Sequence, residues 1–250
     1  MLKNQNIIIT GSAGRIGSAI GETFSKNGAN IILIDREENI KNLIKQKEKL
    51  QRLNEQVEIY TCNLREVNEI RDVVNRIKEK YTHIDGLINN AGVTHLVPAT
   101  QVTEEIWDGI LEVNLKGTFF MSQNIFPLMV NHKSGTIINI GSQHGVVANK
   151  DRAPYGTSKA GIIHLTKLLA LEWAKFGIRV NCISPTVVIS DTNKEILNSA
   201  EYKREFLYKI PLKTYAEPLD IAEAALYLSS PGSRMITGHN LLVDGGWTLA

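Results

Sequence analysis

The chain has 250 residues, enough for one large domain with a full core, and its 43% apolar and 22% charged residues are those of an ordinary globular protein. With 28 basic against 26 acidic residues the net charge is +2, so no field points at nucleic acid, and the basic run over residues 41–52 reads as a solvated helix face. Two cysteines, no apolar run of about 18 residues and an N-terminus that leads straight into a strand argue against a disulfide scaffold, a membrane span or a signal peptide, and make the cytoplasm the expected compartment.

Residues 6–10, Asn-Ile-Ile-Ile-Thr, form the short apolar run of a strand buried on both faces. They lead into Gly11-Ser12-Ala13-Gly14-Arg15-Ile16-Gly17 and then a helix carrying Ile20 and Phe24. Strand, glycine turn and helix N-terminus together make a dinucleotide site, because glycines let the backbone approach a pyrophosphate and the helix end offers free N–H groups. A second strand, residues 29–34, delivers Asp35 roughly 20 residues past the glycines, where a carboxylate meets the adenosine ribose. A 2′-phosphate would be repelled by Asp35, which favours NAD; Arg15 and Arg36 could reach such a phosphate and keep NADP open.

A third strand at 57–61 is followed by a helix lined by Val67, Ile70, Val73, Val74 and Ile77. A fourth, 84–88, ends in Asn89-Asn90-Ala91-Gly92; a helix over 103–130 holds Asn114; a fifth strand, 136–140, ends in Gly141-Ser142. The next helix opens at Ala153-Pro154, where a missing N–H has no partner to lose. Ile162, Ile163, Leu165, Leu168, Leu169 and Trp173 then recur at helical spacing toward a core. A sixth strand spans 179–183, and Cys62 and Cys182 each read as the end of a strand. The polar stretch 190–211, with Ile196, Leu197, Tyr202, Phe206 and Leu207, reads as two short helices forming a lid. A helix at 218–229 and a strand at 240–243 complete the chain.

This alternation predicts one α/β domain over residues 1–250, a doubly wound, mostly parallel seven-stranded sheet (Rossmann fold) with helices on both faces. Ligands of such sheets bind beyond the carboxyl ends of the strands. Gly11, Asp35, Asn63, Asn90, Ser142 and Pro185 would therefore share one edge.

At that edge Tyr155 and Lys159, four residues apart, stand on one helix face. An ammonium about 4 Å from the phenol would favour phenolate by roughly 4 kcal/mol at an effective dielectric near 20. That is about three pKa units, so a depressed tyrosine pKa is expected. Ser142, His144 and Asp151 suggest a hydrolase triad, but Gly141-Ser142-Gln143-His144-Gly145 misplaces the second glycine of a nucleophile elbow. The six histidines lack metal-ligand spacing, so no metal is implied, and His95 reads as a solvated loop residue.

With these motifs in order, the chain resembles the short-chain dehydrogenase/reductase family over essentially its whole length. Thr10-Gly11-Ser12-Ala13-Gly14-Arg15-Ile16-Gly17 is similar to the family's T-G-x-x-x-G-x-G turn, and Asn89-Asn90-Ala91-Gly92 to its N-N-A-G. The resemblance implies Asn114, Ser142, Tyr155 and Lys159 as catalytic residues. It implies cofactor contacts from Gly11, Arg15, Ile16, Gly17, Asp35, Arg36, Asn63, Leu64, Asn90, Ala91, Gly92, Tyr155, Lys159, Pro185 and Val188. Tyr155 would move the hydroxyl proton, Lys159 would hold the nicotinamide ribose, Ser142 would bond the reacting oxygen, and Asn114 would support a relay water. Ser142, Gln143 and His144 would face the substrate. Departures are Arg15 at the middle glycine, Asn63 for the aspartate that faces the adenine, and Thr186 for the glycine after Pro185.

Pro185-Thr186-Val187-Val188 and the tail Val243-Asp244-Gly245-Gly246-Trp247 are similar to members acting on sugars, polyols and sugar acids. The implied reaction is hydride exchange between a secondary alcohol or its ketone and NAD, with NADP possible. The alternatives are reduction of a 3-oxoacyl thioester of acyl carrier protein, and a cofactor-binding protein that has lost catalysis. Phe119, Phe120, Ile125, Phe126, Met129, Leu165, Leu169 and Trp173, with the apolar tail from Trp247, exceed what one sheet face needs and predict a homo-oligomer, a tetramer or a dimer.

Overall fold

A computed structural model describes residues 1–54, 56–189 and 193–249. Its strands are β1 (Asn6–Thr10), β2 (Asn30–Asp35), β3 (Val57–Thr61), β4 (Gly86–Asn89), β5 (Gly135–Ile140), β6 (Ile178–Pro185) and β7 (Asn240–Val243). They form one parallel sheet in the order β3-β2-β1-β4-β5-β6-β7. Strand order reverses between β1 and β4, and that pair is held by Ile7 opposite Gly86 and Ile9 opposite Ile88.

The apolar runs sort by alternation, as a strand's period of two requires. Ile7, Ile9, Ile31 and Leu33 point to one face, where they meet Ile20 and Phe24 of α1 (Arg15–Lys26), Leu43 and Leu50 of α2 (Ile40–Gln51), and Ile221 and Leu226 of a late helix, Pro218–Ser229. Ile8, Ile32, Ile34 and Leu87 point to the other. There they meet Ile70 and Val74 of α3 (Val67–Lys80), together with Met121 and Ile125 from the helix before β5 and Leu169 and Trp173 from the helix after it. Each of these side chains contributes roughly 1.5–3 kcal/mol on burial, which is why the runs carry no polar break.

The helix expected over 103–130 is interrupted. It begins as α4 (Glu104–Leu111), passes through a π-helical turn, Glu112–Gly117, and continues as α5 (Thr118–Val130). Such one-turn π segments gather at functional sites, and this one carries Asn114. The helix after β5 is α6 (Ala153–Trp173), of which Ile162, Leu169 and Trp173 are buried. Leu168, expected in the core, is 45% exposed beside Leu171 at 82%. Cys182 is likewise not at a strand end, since β6 runs on to Pro185, and both cysteines are buried free thiols.

Two short helices, α7 (Lys194–Leu197) and α8 (Ala200–Glu205), fall in the segment read as a lid, whose residues 190–192 lie outside the described residues. A third, smaller cluster of Leu197, Phe206, Ile210, Tyr215 and Trp247 packs this segment against the C-terminal turn; Ala250 also lies outside the described residues. The helix Pro218–Ser229, α9, completes the set. No helix among the described residues is long and apolar enough to cross a membrane.

Candidate active site

The carboxyl ends of the strands open into a cleft of about 790 Å3, lined by residues that include Gly11, Arg15, Ile16, Asp35, Arg36, Asn63, Leu64, Asn90, Ala91, Gly92 and Val188. Its floor is the glycine turn. Gly11 has φ +62°, and a side chain there would set Cβ 2.6 Å from the Ala91 Cα. A Cβ on Gly17 would come 2.5 Å from the Gly11 carbonyl. The two turns are also tied by polar bonds. Asn90 Nδ2 donates to the Thr10 and Gly11 carbonyls at 3.0 and 2.9 Å, and the Thr10 hydroxyl accepts from the Asn90 and Ala91 N–H groups at 3.1 and 3.2 Å. Gly14 leaves the α1 N-terminus without a side-chain cap, and no acidic residue stands in its first turn. A bare, positively polarised helix end above a floor of glycine fits a dinucleotide pyrophosphate.

Asp35, the last residue of β2, is 8% exposed. Its Oδ2 accepts from the Ala13 N–H at 2.9 Å, and its Oδ1 from the Arg36 N–H at 2.8 Å and from Asn39 Nδ2 at 2.7 Å. Among the described residues these bonds fill three of the four acceptor positions of a carboxylate and leave one, on Oδ2. Asn63 Oδ1 accepts the Arg65 N–H at 3.2 Å, which leaves its amide N–H groups for the cleft.

A second cavity of about 280 Å3 adjoins the first and shares Arg15, Ile16, Asn90, Gly92, Val93 and Val188 with it; its remaining wall includes Ser142, Tyr155, Lys159, Pro185 and Thr186. Three of the four expected catalytic side chains therefore meet in one cavity. Ser142 stands beside the Tyr155 hydroxyl and acts to lower its pKa. The ammonium of Lys159 lies 5.7 Å from the Tyr155 ring centroid and donates to the Ile140 carbonyl at 2.7 Å.

The fourth, Asn114, is fully buried and outside this wall. Its Oδ1 accepts the Val93 N–H at 2.8 Å, and its Nδ2 donates to the Val93 carbonyl and the Ser158 hydroxyl, each at 3.0 Å. Ser158 in turn donates to the Tyr155 carbonyl at 2.7 Å, so the π turn is fastened to α6 through a residue that spacing alone does not single out. Gly92 keeps open a space between the two remaining groups. A Cβ there would sit 3.3 Å from Lys159 Nζ and 3.4 Å from Asn114 Oδ1.

The expected depression of the tyrosine pKa is not found. Burial holds the Tyr155 phenol above its ordinary value, against smaller downward effects from Ser142 and the Arg152 charge. Burial also pushes the Lys159 ammonium down to about 8. A lysine whose folded pKa lies below its unfolded value costs stability in full below the folded pKa, and that cost is released as pH rises from about 8 to about 10.5. At 1.36 kcal/mol per unit the cost near pH 7 is roughly 3 kcal/mol, against about 1 kcal/mol for the Ile140 hydrogen bond. Lys159→Met is therefore expected to raise the melting midpoint near pH 7 by roughly 5 °C and to remove the wild type's relative gain between pH 8 and 10. Differential scanning fluorimetry across that range checks it, and superimposable curves would contradict it.

Gln143 and His144 do not line the cavity. Gln143 is 1% exposed with both amide atoms unpartnered among the described residues, while the His144 ring stands edge-on to Tyr155 at 6.5 Å. The hydrolase alternative finds no geometry: Ser142 Oγ accepts the His144 backbone N–H at 3.1 Å, and His144 Nδ1 is buried without a partner among the described residues. His95 is exposed in the loop after β4.

A family model described as enoyl-(acyl carrier protein) reductase matches residues 11–248. The NAD-dependent glycerol dehydrogenase of Listeria innocua is 38% identical, covering 97% of this chain and 93% of its own. The 3-oxoacyl-[acyl-carrier-protein] reductase of Thermotoga maritima is 35% identical, covering 98% of each chain. Among solved structures, a gluconate 5-dehydrogenase from Burkholderia cenocepacia in complex with NADP and tartrate superposes with a TM-score of 0.93 at 27% identity, over 100% of this chain and 97% of its own.

Proposed function

This chain belongs to the short-chain dehydrogenase/reductase family, and on that premise we propose that it interconverts a secondary alcohol and a ketone on a sugar, polyol or sugar acid. The observation that carries the reading is the meeting of Ser142, Tyr155 and Lys159 in one small cavity that opens into the glycine-floored cleft. Relatives named for glycerol and for gluconate favour a hydroxylated substrate. The relative named for 3-oxoacyl carrier-protein substrates makes a thioester the second reading.

A bound nicotinamide cofactor would supply the hydride acceptor or donor. Gly11, Ile16, Gly17 and Asn90–Gly92 would hold its phosphates and ribose, Asp35 and Asn63 its adenosine, and Lys159, Pro185 and Val188 its nicotinamide end. Ser142 offers a fixed donor to the substrate oxygen where charge develops. Tyr155 gives its phenolic proton to that oxygen in reduction and receives it in oxidation. Lys159 keeps two N–H donors beyond the one on Ile140, and the space beside Gly92 would seat a water between it and Asn114. That water would carry protons onward without moving either side chain.

NAD(H) is the preferred cofactor in this reading, because the last acceptor of Asp35 suits a ribose hydroxyl and repels a phosphate. Comparison of kcat/KM for the two cofactors tests it: a tenfold advantage for NADP(H), about 1.4 kcal/mol, would reverse the assignment in spite of Asp35. Substrate class is tested by profiling turnover against polyols, ketoses, sugar acids and 3-oxoacyl thioesters. Activity confined to the thioesters would select the second reading.

We also infer a homo-oligomer, resting on part of the apolar surface the sequence suggests, Leu249 of the tail being 86% exposed, and on two further residues. Ile125, Met129, Leu169 and Trp173 are absorbed by the protomer's own core, and Phe119, Phe120, Phe126 and Leu165 pack against it. Leu168 and Leu171 on α6 remain exposed for an interface. Light scattering at micromolar concentration should show more than one copy per particle, and a monomer would refute it.

A further inference from the structure

Arg152 is the N-cap residue of α6, three residues before Tyr155, and has no part in the proposed hydride and proton transfers. It is half-buried, and none of the described carboxylates forms an ion pair with it. Its guanidinium lies over the ring of Phe206, with Cζ 5.8 Å from the centroid. Phe206 is 5.9 Å from Trp247, Trp247 meets the His144 ring at 6.4 Å, and His144 meets Tyr155 at 6.5 Å. A continuous aromatic wall thus runs from the proposed proton donor to an unpaired cation. Along that wall His144 Nδ1 is buried and has no partner among the described residues.

We propose that Arg152 is a specificity-determining residue that binds a carboxylate on the substrate. The substrate is then a small hydroxy or oxo acid, not a neutral polyol or a thioester. This rests on the reading of Ser142, Tyr155 and Lys159 as a secondary-alcohol site. A half-buried cation without a counter-ion is a cost that a ligand's charge offsets. A guanidinium stacked on an aromatic face keeps its N–H fork for a carboxylate, which it binds bidentately. Burial, with the Arg152 charge adding to it, pushes the His144 pKa down to about 4, so the imidazole is uncharged near neutrality and the charge at this end of the wall is that of Arg152. The cavity of about 280 Å3 at Tyr155 suits a ligand of a few carbons.

The test sets each acid against the alcohol in which a hydroxymethyl group replaces the carboxylate: glycerate with glycerol, gluconate with glucitol, threonate with threitol. The wild type is expected to favour the acid by about tenfold or more in kcat/KM. Arg152→Gln should erase that preference by lowering the acid alone, and Arg152→Lys should restore part of it. No preference in the wild type, or a parallel fall for acid and alcohol in Arg152→Gln, overturns the proposal. Calorimetric titration of the NADH-loaded protein with tartrate gives a readout without turnover. Saturable binding lost in Arg152→Gln is the expected result, and absence of binding to the wild type overturns it. Failure of the broader reading looks different, because then no alcohol, acid or ketone is turned over even where tartrate binds through Arg152.

Discussion

Tyr155→Phe is expected to lower kcat by about 10²–10⁴, the usual contribution of a positioned acid–base, and to leave cofactor affinity nearly unchanged. The substitution keeps the ring that meets His144 and removes the hydroxyl beside Ser142. Asp35 and the glycine turn are untouched. The direction of the pKa shift sets the pH dependence. Burial holds the phenol above its ordinary value, so it is protonated at neutral pH, ready to donate in reduction and unable to accept in oxidation. Alcohol oxidation by the wild type should therefore rise on the alkaline side while ketone reduction falls, and Tyr155→Phe should lose both slopes with the rate. A variant that keeps more than about a tenth of wild-type kcat, outside that range, would remove the tyrosine from the mechanism.

The second large effect is expected from Gly11→Ala. Its Cβ would stand 2.6 Å from the Ala91 Cα and 2.8 Å from the Ala91 nitrogen, both backbone atoms, at φ +62°. Relief requires the two turns to part, against the Asn90 and Thr10 hydrogen bonds that join them. Overpacking of this kind costs about 1–3 kcal/mol, and a left-handed backbone adds about 1–2 kcal/mol for a residue with a Cβ. Because the contact forms the floor of the larger cleft, nicotinamide cofactor affinity should fall by more than tenfold, about 1.4 kcal/mol. Melting and fluorescence titration with NADH measure the two effects separately. Wild-type affinity at an unchanged melting temperature would show that the turn does not set the cleft.

Much of this architecture is legible in the sequence because strands buried on both faces leave unbroken apolar runs. Residues 6–10, 57–61 and 240–243 coincide with β1, β3 and β7, and the remaining strand boundaries lie within two residues of the reading. The same logic places Gly11, Asp35 and Ser142 at one edge, since position relative to a strand end is a local property. Contacts between distant segments are not local. Spacing puts Tyr155 and Lys159 on one helix face but says nothing of the Ile140 carbonyl that draws the ammonium inward. Nor does spacing report burial, which sets the direction of both pKa shifts. Asn114 can be singled out by its motif but not with its surroundings, because its partners at Val93 and Ser158 are 21 and 44 residues away. In the sequence Arg152 is one more loop cation; only the fold brings Phe206, from a segment 54 residues later, beneath it.

The π turn at Glu112–Gly117 makes chain length, and not only chain chemistry, part of the site. A helix advances about 100° and 1.5 Å per residue, and a π turn accommodates one residue more than the α-helix around it. Deleting a single residue there would restore regular pairing with α4 and α5 still in phase, and would displace the residues of the turn itself, Asn114 among them. Both flanks would keep their packing, Met121, Ile125 and Met129 of α5 and Ile110 of α4. The deletion should thus yield a folded protein whose Asn114 no longer meets Val93 and Ser158. In this half-exposed helix an amino-acid exchange is tolerable where a one-residue change in length is not, so the segment is expected to drift in composition while its residue count stays fixed.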